Sequence, residues 1–212
     1  DYVVDPAYTL VNRKEIDLAF DFSVAYTQGM ESAGGTKGQI VTLNEDNRND
    51  SVKGEVEGNM YRRFPVSGSS NMLIDIRLDA LYSTNYRIKA VMVPNNINLA
   101  YIRTEVDRKT KELVPIQEQA TFTCELRMDD QMSNSATLSP SMKTSTFKLS
   151  SDSVEVVTLF DNVRIPKCYV DLPSGSNETF MVLRFSMSRL NQTSGKCKSL
   201  NISKIIIEPV RE

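Results

Sequence analysis

The chain has 212 residues, 25 Lys and Arg against 27 Asp and Glu for a formal net charge of -2, and neither histidine nor tryptophan. That balance provides no basic field to attract nucleic acid or anionic lipid. The missing histidine removes Ser-His and Cys-His nucleophilic catalysis and, with only 3 cysteines, the ordinary zinc sets.

Strict apolar/polar alternation opens at residues 16–26. Ile16, Leu18, Phe20, Phe22, Val24 and Tyr26 share one side, Asp17, Ala19, Asp21, Ser23 and Ala25 the other, and this predicts one long half-buried strand. A Gly-rich stretch (28–38), a short strand (39–43) and a polar turn cluster (44–51) follow. Strands are predicted at 60–66, 72–81 and 85–93, the last stopped by Pro94. In 72–81, Met72, Ile74, Ile76 and Leu78 alternate with Leu73, Asp75, Arg77 and Asp79.

Residues 103–119 are charged and aperiodic, the pattern of a solvated hairpin or loop. Alternation resumes with Phe122, Cys124 and Leu126 on one side. After a Ser/Asn/Pro loop (132–141), further strands are predicted at 145–149, 154–160, 162–165, 179–187 and 200–210. No segment has a convincing helical period or the length of a membrane-spanning helix. About ten or eleven strands with turn signals every 8 to 12 residues or so predict an all-β antiparallel sandwich. We assign 1–54 to N-terminal strands and loops of the same domain and 55–212 to the main sandwich. Phe20, Phe22, Phe122 and Phe185 are expected in its core.

Candidate chemistry is sparse. Asp75, Asp79, Asp129, Asp130, Asp161 and Glu208 could supply a carboxylate pair for histidine-free glycoside hydrolysis, but nothing selects a pair. Glu45 to Asp50 is rich in oxygen ligands without EF-hand spacing, so no cofactor is assigned and a structural calcium stays open. Carbohydrate binding needs an exposed aromatic face ringed by polar groups. Tyr61, Phe64, Tyr82, Tyr101 and Tyr169 fall at expected strand ends or loops, and Tyr61, Tyr82, Tyr101 and Tyr169 are the candidate ligand-binding residues. The alternative for each is an amphipathic residue covering the sandwich rim. Cys124 reads as a buried small hydrophobe, whereas Cys168 and Cys197 are placed where they could bridge in an oxidising compartment. Asn49, Asn177, Asn191 and Asn201 head Asn-X-Ser/Thr sequons, which are read as chance in so Ser/Thr/Asn-rich a chain.

The segment Tyr86-Arg-Ile-Lys-Ala-Val-Met-Val-Pro-Asn95, the alternating strand before it, and Asn201-Ile-Ser-Lys-Ile-Ile-Ile-Glu-Pro-Val210 resemble the C-terminal β-sandwich of Bacteroides-type surface lipoproteins, including those with fasciclin-like domains. They are distantly similar to galactose-binding-like jelly rolls, among them carbohydrate-binding modules. Asp50-Ser51-Val52 and Asp152-Ser153-Val154 resemble an Asp-Ser/Thr-aliphatic signal for O-glycosylation of exported proteins, which marks Ser51 and Ser153. The resemblance implies a jelly-roll sandwich at the cell surface or in the periplasm, anchored to the outer membrane through a part preceding Asp1. Its expected role is non-catalytic binding of a glycan, or adhesion. The alternative is a structural or assembly module of a stalk or pilus-like structure, whose partner is another surface protein.

Overall fold

The computed structural model describes residues 13–20, 24–30, 38–43, 53–67, 70–78, 81, 84–94, 104–115, 121–129, 141–148, 153–165, 180–188 and 199–210. The strands are β1 (Lys14–Asp17), β2 (Val24–Gln28), β3 (Gln39–Thr42), β4 (Met60–Pro65), β5 (Met72–Leu78), β6 (Thr84–Met92), β7 (Thr104–Val106), β8 (Leu113–Pro115), β9 (Thr121–Asp129), β10 (Ser141–Lys148), β11 (Glu155–Ile165), β12 (Phe180–Met187) and β13 (Ser199–Pro209). They form a first sheet in the order β11-β6-β13-β4-β3, with β1 also on β13, and a second in the order β10-β9-β12-β5-β2. The charged stretch forms a separate hairpin, β7-β8. Its turn is organised by the Asp107 carboxylate, which accepts the backbone N–H groups of Lys109 (2.7 Å) and Thr110 (3.0 Å).

Partners nest along the chain: β4 with β13, β5 with β12, β6 with β11, and β9 with β10 at the tip. A long hairpin whose arms pair strand by strand, rolled into two antiparallel sheets, is the jelly-roll topology. The all-β sandwich expected from alternation is therefore present, with eleven strands in its two sheets. β1, β2 and β3 add to them, on β13, β5 and β4 respectively.

The core lies between the sheets. Met72, Ile74, Ile76 and Leu78 from β5 meet Tyr86, Ile88, Ala90 and Met92 from β6, with Phe122, Leu126, Leu183 and Phe185 among the side chains filling the layer. Each buried Leu, Ile, Met or Phe among them contributes roughly 1.5–3 kcal/mol against an exposed reference. Phe147 stacks on Phe122 (centroids 5.8 Å apart) and meets Phe185 edge-on (6.4 Å). In β13 the pairing with β6 slips between Ile202 and Lys204. The inward set accordingly changes from Leu200 and Ile202 to Ile205 and Ile207, because one extra residue inverts the alternation.

A second, smaller apolar cluster joins Leu43, Val56, Tyr61 and Val93 with Val41, Val91 and Val154. Segment 53–59 contributes Val56 to it. A parallel bridge from Lys53 to Ser153 and a bond from the Leu43 N–H to the Asn59 carbonyl (2.8 Å) tie that segment down.

The N-terminal strand departs from the alternation. β1 stops at Asp17, and the chain re-enters as β2 on the other sheet. The Asp17 carboxylate accepts the Ala19 N–H (2.9 Å) and its carbonyl accepts the Phe20 N–H (3.2 Å), closing a turn. Arg62 Nε donates to the Leu18 carbonyl. Leu18 stays buried, but Phe20 is 69% exposed, which corrects its expected core position. The side-chain bond from Asp17 offers the backbone an alternative to the ladder that alternation alone does not register. Phe22 lies outside the described residues.

Candidate functional site

Tyr61 is the one candidate tyrosine among the described residues, and it is 0% exposed. It packs in the small cluster with Leu43, Val56 and Val93, and its hydroxyl accepts a bond from an Arg63 terminal nitrogen (3.1 Å). The expectation that it stacks on a ligand is corrected: side chains from elsewhere in the chain cover a residue whose position alone suggested a rim. Phe64 is likewise fully buried, in the main core. Tyr82, Tyr101, Tyr169, Cys168, Cys197, Ser51 and the loop at Glu45 to Asp50 lie outside the described residues.

Ser153 is half-buried in the bridge to Lys53 just before β11. Asn201, the one sequon asparagine among the described residues, is buried in β13 and donates its side-chain N–H to the Pro94 carbonyl (3.2 Å). A glycan has no access there in the folded chain, in keeping with the chance reading. Cys124 is a free buried thiol whose burial pushes it well above the usual thiol range, so thiolate chemistry is suppressed.

The carboxylates considered for hydrolysis that fall among the described residues are divided between the two sheets. Asp75 is on the second sheet, whereas Asp161 and Glu208 are on the first. Asp161 pairs with Arg87 (2.8 Å), and Glu208 with Lys89 (3.0 Å). No group of three or more His, Cys, Asp or Glu side chains among the described residues could hold a metal, and no helix among them is long and apolar enough to cross a membrane.

Two charged arrangements were not anticipated. In the first, Arg184 makes a bidentate pair with Asp75, at 2.7 and 2.8 Å, with side-chain exposures of 5% and 0%. Alternation puts Asp75 on the side of β5 opposite the core residues, which is correct, but it carries no information on what covers that side. Register sets Arg184 between Asp75 on β5 and Glu125 on β9, and Glu125 also pairs with Arg127 (3.4 Å). Thr144 on β10 sits opposite Glu125, and Thr146 opposite Thr123, which pairs with Ser186 on β12. Directly opposed residues share a face. The outward side of the second sheet thus carries a polar platform, buried at Asp75 and Arg184, half-exposed at Thr123, Glu125, Arg127 and Ser186, and open at Thr144 and Thr146.

In the second arrangement Lys204, just after the β13 slip, bonds Glu15 on β1 (2.8 Å) and Glu57 in the 3-10 turn Glu57–Asn59. The Glu15 bond raises Lys204 above the usual lysine range, with Glu57 adding to it. The bond from Lys204 in turn holds Glu15 below the usual carboxylate range. A lysine inside the apolar run Ile202 to Ile207 is the sequence signal that could have marked this clamp, and an arginine inside Met181 to Phe185 is its counterpart for the first arrangement.

Neither protein-family models nor curated proteins give a match to this chain.

Proposed function

We propose that the chain is a non-catalytic binding module of an exported protein displayed at the cell surface, with a glycan as its ligand. The observation that carries this reading is the polar platform on the outward side of the second sheet. The Asp75–Arg184 pair fixes one side of it, and Thr123, Glu125, Arg127, Thr144, Thr146 and Ser186 present hydroxyl, carboxylate and guanidinium groups at strand spacing. Few polar groups held by a rigid scaffold are what recognition of sugar hydroxyls requires. The resemblance to surface lipoproteins supports display outside the cytoplasm. The buried Asp75–Arg184 pair and the partly exposed Lys204 clamp join strands or segments to one another, which favours binding over catalysis.

A broad glycan array probed with the purified chain, in calcium and again in chelator, tests this. Saturable binding to a related set of glycans is expected. No binding in either condition would overturn the glycan reading and direct the search to a protein partner.

A further inference from the structure

Residues 53–59 cross the outward side of the first sheet. Beside β11, the Lys53 carbonyl accepts the Val154 N–H (2.8 Å), and Lys53 bridges Ser153. Over β13, the Glu57 carboxylate accepts a bond from Lys204. At the end of β3, the Asn59 carbonyl accepts the Leu43 N–H (2.8 Å). Between these points Val56 enters the small apolar cluster, which holds Tyr61 of β4 and Val91 of β6. Each strand in the order β11-β6-β13-β4-β3 thus has a residue in it, or next to its end, that meets the segment or shares its cluster.

The segment has the features of a piece that moves on its own. Val56 is its one buried side chain, whereas Lys53, Gly54, Glu55, Glu57 and Gly58 are exposed and Asn59 is half-buried. Gly54 and Gly58 flank Val56 and Glu57 at φ 96 and 71, and Asn59 follows at φ 56. Glycine leaves such angles without steric cost, and joints of this kind absorb the backbone change when a cover swings. A segment with one apolar anchor and exposed backbone opens at a lower free energy than the strands beneath it.

The geometry points to a hinged strap: residues 53–59 lift together while both sheets stay folded, and the lifted state bares Tyr61 beside Arg63. In the closed state Tyr61 is fully buried. Its hydroxyl accepts a bond from Arg63, whose guanidinium stands over the ring at 6.0 Å from the centroid. Lifting therefore withdraws Val56 from an aromatic ring and a cation that the closed strap keeps from solvent. This inference is independent of the platform on the second sheet.

The test follows hydrogen exchange of the full native chain by NMR, together with nitration of Tyr61 by tetranitromethane, located by peptide mass. The Leu43, Asn59 and Val154 amides, which close the strap's own bonds, should exchange with one shared opening constant, about tenfold or more above that of the β5 and β12 amides. Ile76→Val should speed the β5 and β12 amides and leave those three unchanged, since it weakens the closed and lifted states equally. Val56→Ala should speed the three together, and the nitration of Tyr61 with them, by about tenfold. Glu57→Gln, a milder change at an exposed bond, should do so by about twofold. The inference is overturned if the three amides exchange only with β5 and β12, if they accelerate with Ile76→Val, if they respond separately to Val56→Ala, or if Tyr61 nitration ignores that substitution.

Discussion

Asp75 and Arg184 illustrate how little a residue's type and face say about its energetics. Alternation predicts a solvated aspartate on the outer side of β5, and the structure gives a fully buried bidentate ion pair. Removing one partner strands a buried charge, so Asp75→Leu or Arg184→Met alone should cost about 3–5 kcal/mol in urea unfolding. The double substitution should recover most of that loss, because the pair's mutual attraction is largely spent on its own desolvation. Equal losses in the single and double variants would mean that the site is not buried as described. Lys204 and Glu15 make a milder case, since the Glu15 side chain is 34% exposed and the bond is screened. The folded-state pKa of Glu15 lies below its ordinary 4.5, so its contribution is present above that value and is lost as pH falls through the lowered one. Lys204, raised above 10.5, contributes below that value and loses its share as pH rises through the raised one. Glu15→Gln should therefore flatten part of the acid-side loss of stability as pH falls below 4.5, and cost about 0.5–1 kcal/mol at neutral pH. Unfolding midpoints across that range check it.

At the scale of the element, strands were legible in the sequence wherever alternation ran unbroken. β5, β6 and β9 put their buried side chains where the pattern predicts, because a half-buried strand needs only its own residues to reveal its faces. What could not be read were places where a distant segment intervenes. β13 slips at Ser203 and changes its inward set, segment 53–59 helps to cover Tyr61, and Asp17 breaks a strand that six alternating residues support. The short β3 depends on such a contact as well. Gly38 has φ +68, and a Cβ there would stand 2.5 Å from the Arg63 carbonyl oxygen and 2.9 Å from Phe64. Gly38→Ala should cost about 1–3 kcal/mol by forcing β3 off β4. Gly58→Ala, with similar φ but nothing within 4 Å, should cost only the backbone conformational penalty, about 1 kcal/mol. Denaturation of the two variants side by side checks the difference.

For the whole molecule, the two sheets of the described residues end in the edge strands β11, β3, β10 and β2, with β1 a further edge beside β13, and the first four are guarded. β11 carries two register slips along its length, β10 and β2 carry one each, and β3 is only four residues long. Slips and brevity discourage open-ended edge pairing, which leaves the outward face of the second sheet as the surface with a stated chemistry. The sheet order explains that face: β10, β9, β12 and β5 lie side by side, so the threonines of β9 and β10 come together with two arginines and two carboxylates. No sequence window contains that patch, because its members are drawn from residues 75 to 186 and meet only through strand register.

The central claim is that this platform holds a glycan. It is tested most directly by probing one glycan array with the native chain and with a Thr123→Val, Glu125→Gln, Thr146→Val variant, after confirming that the two unfold at the same temperature. We predict saturable binding by the native chain to a related family of glycans and its loss, about tenfold or more, in the variant. Equal binding by the two proteins, or none by the native chain, would contradict it.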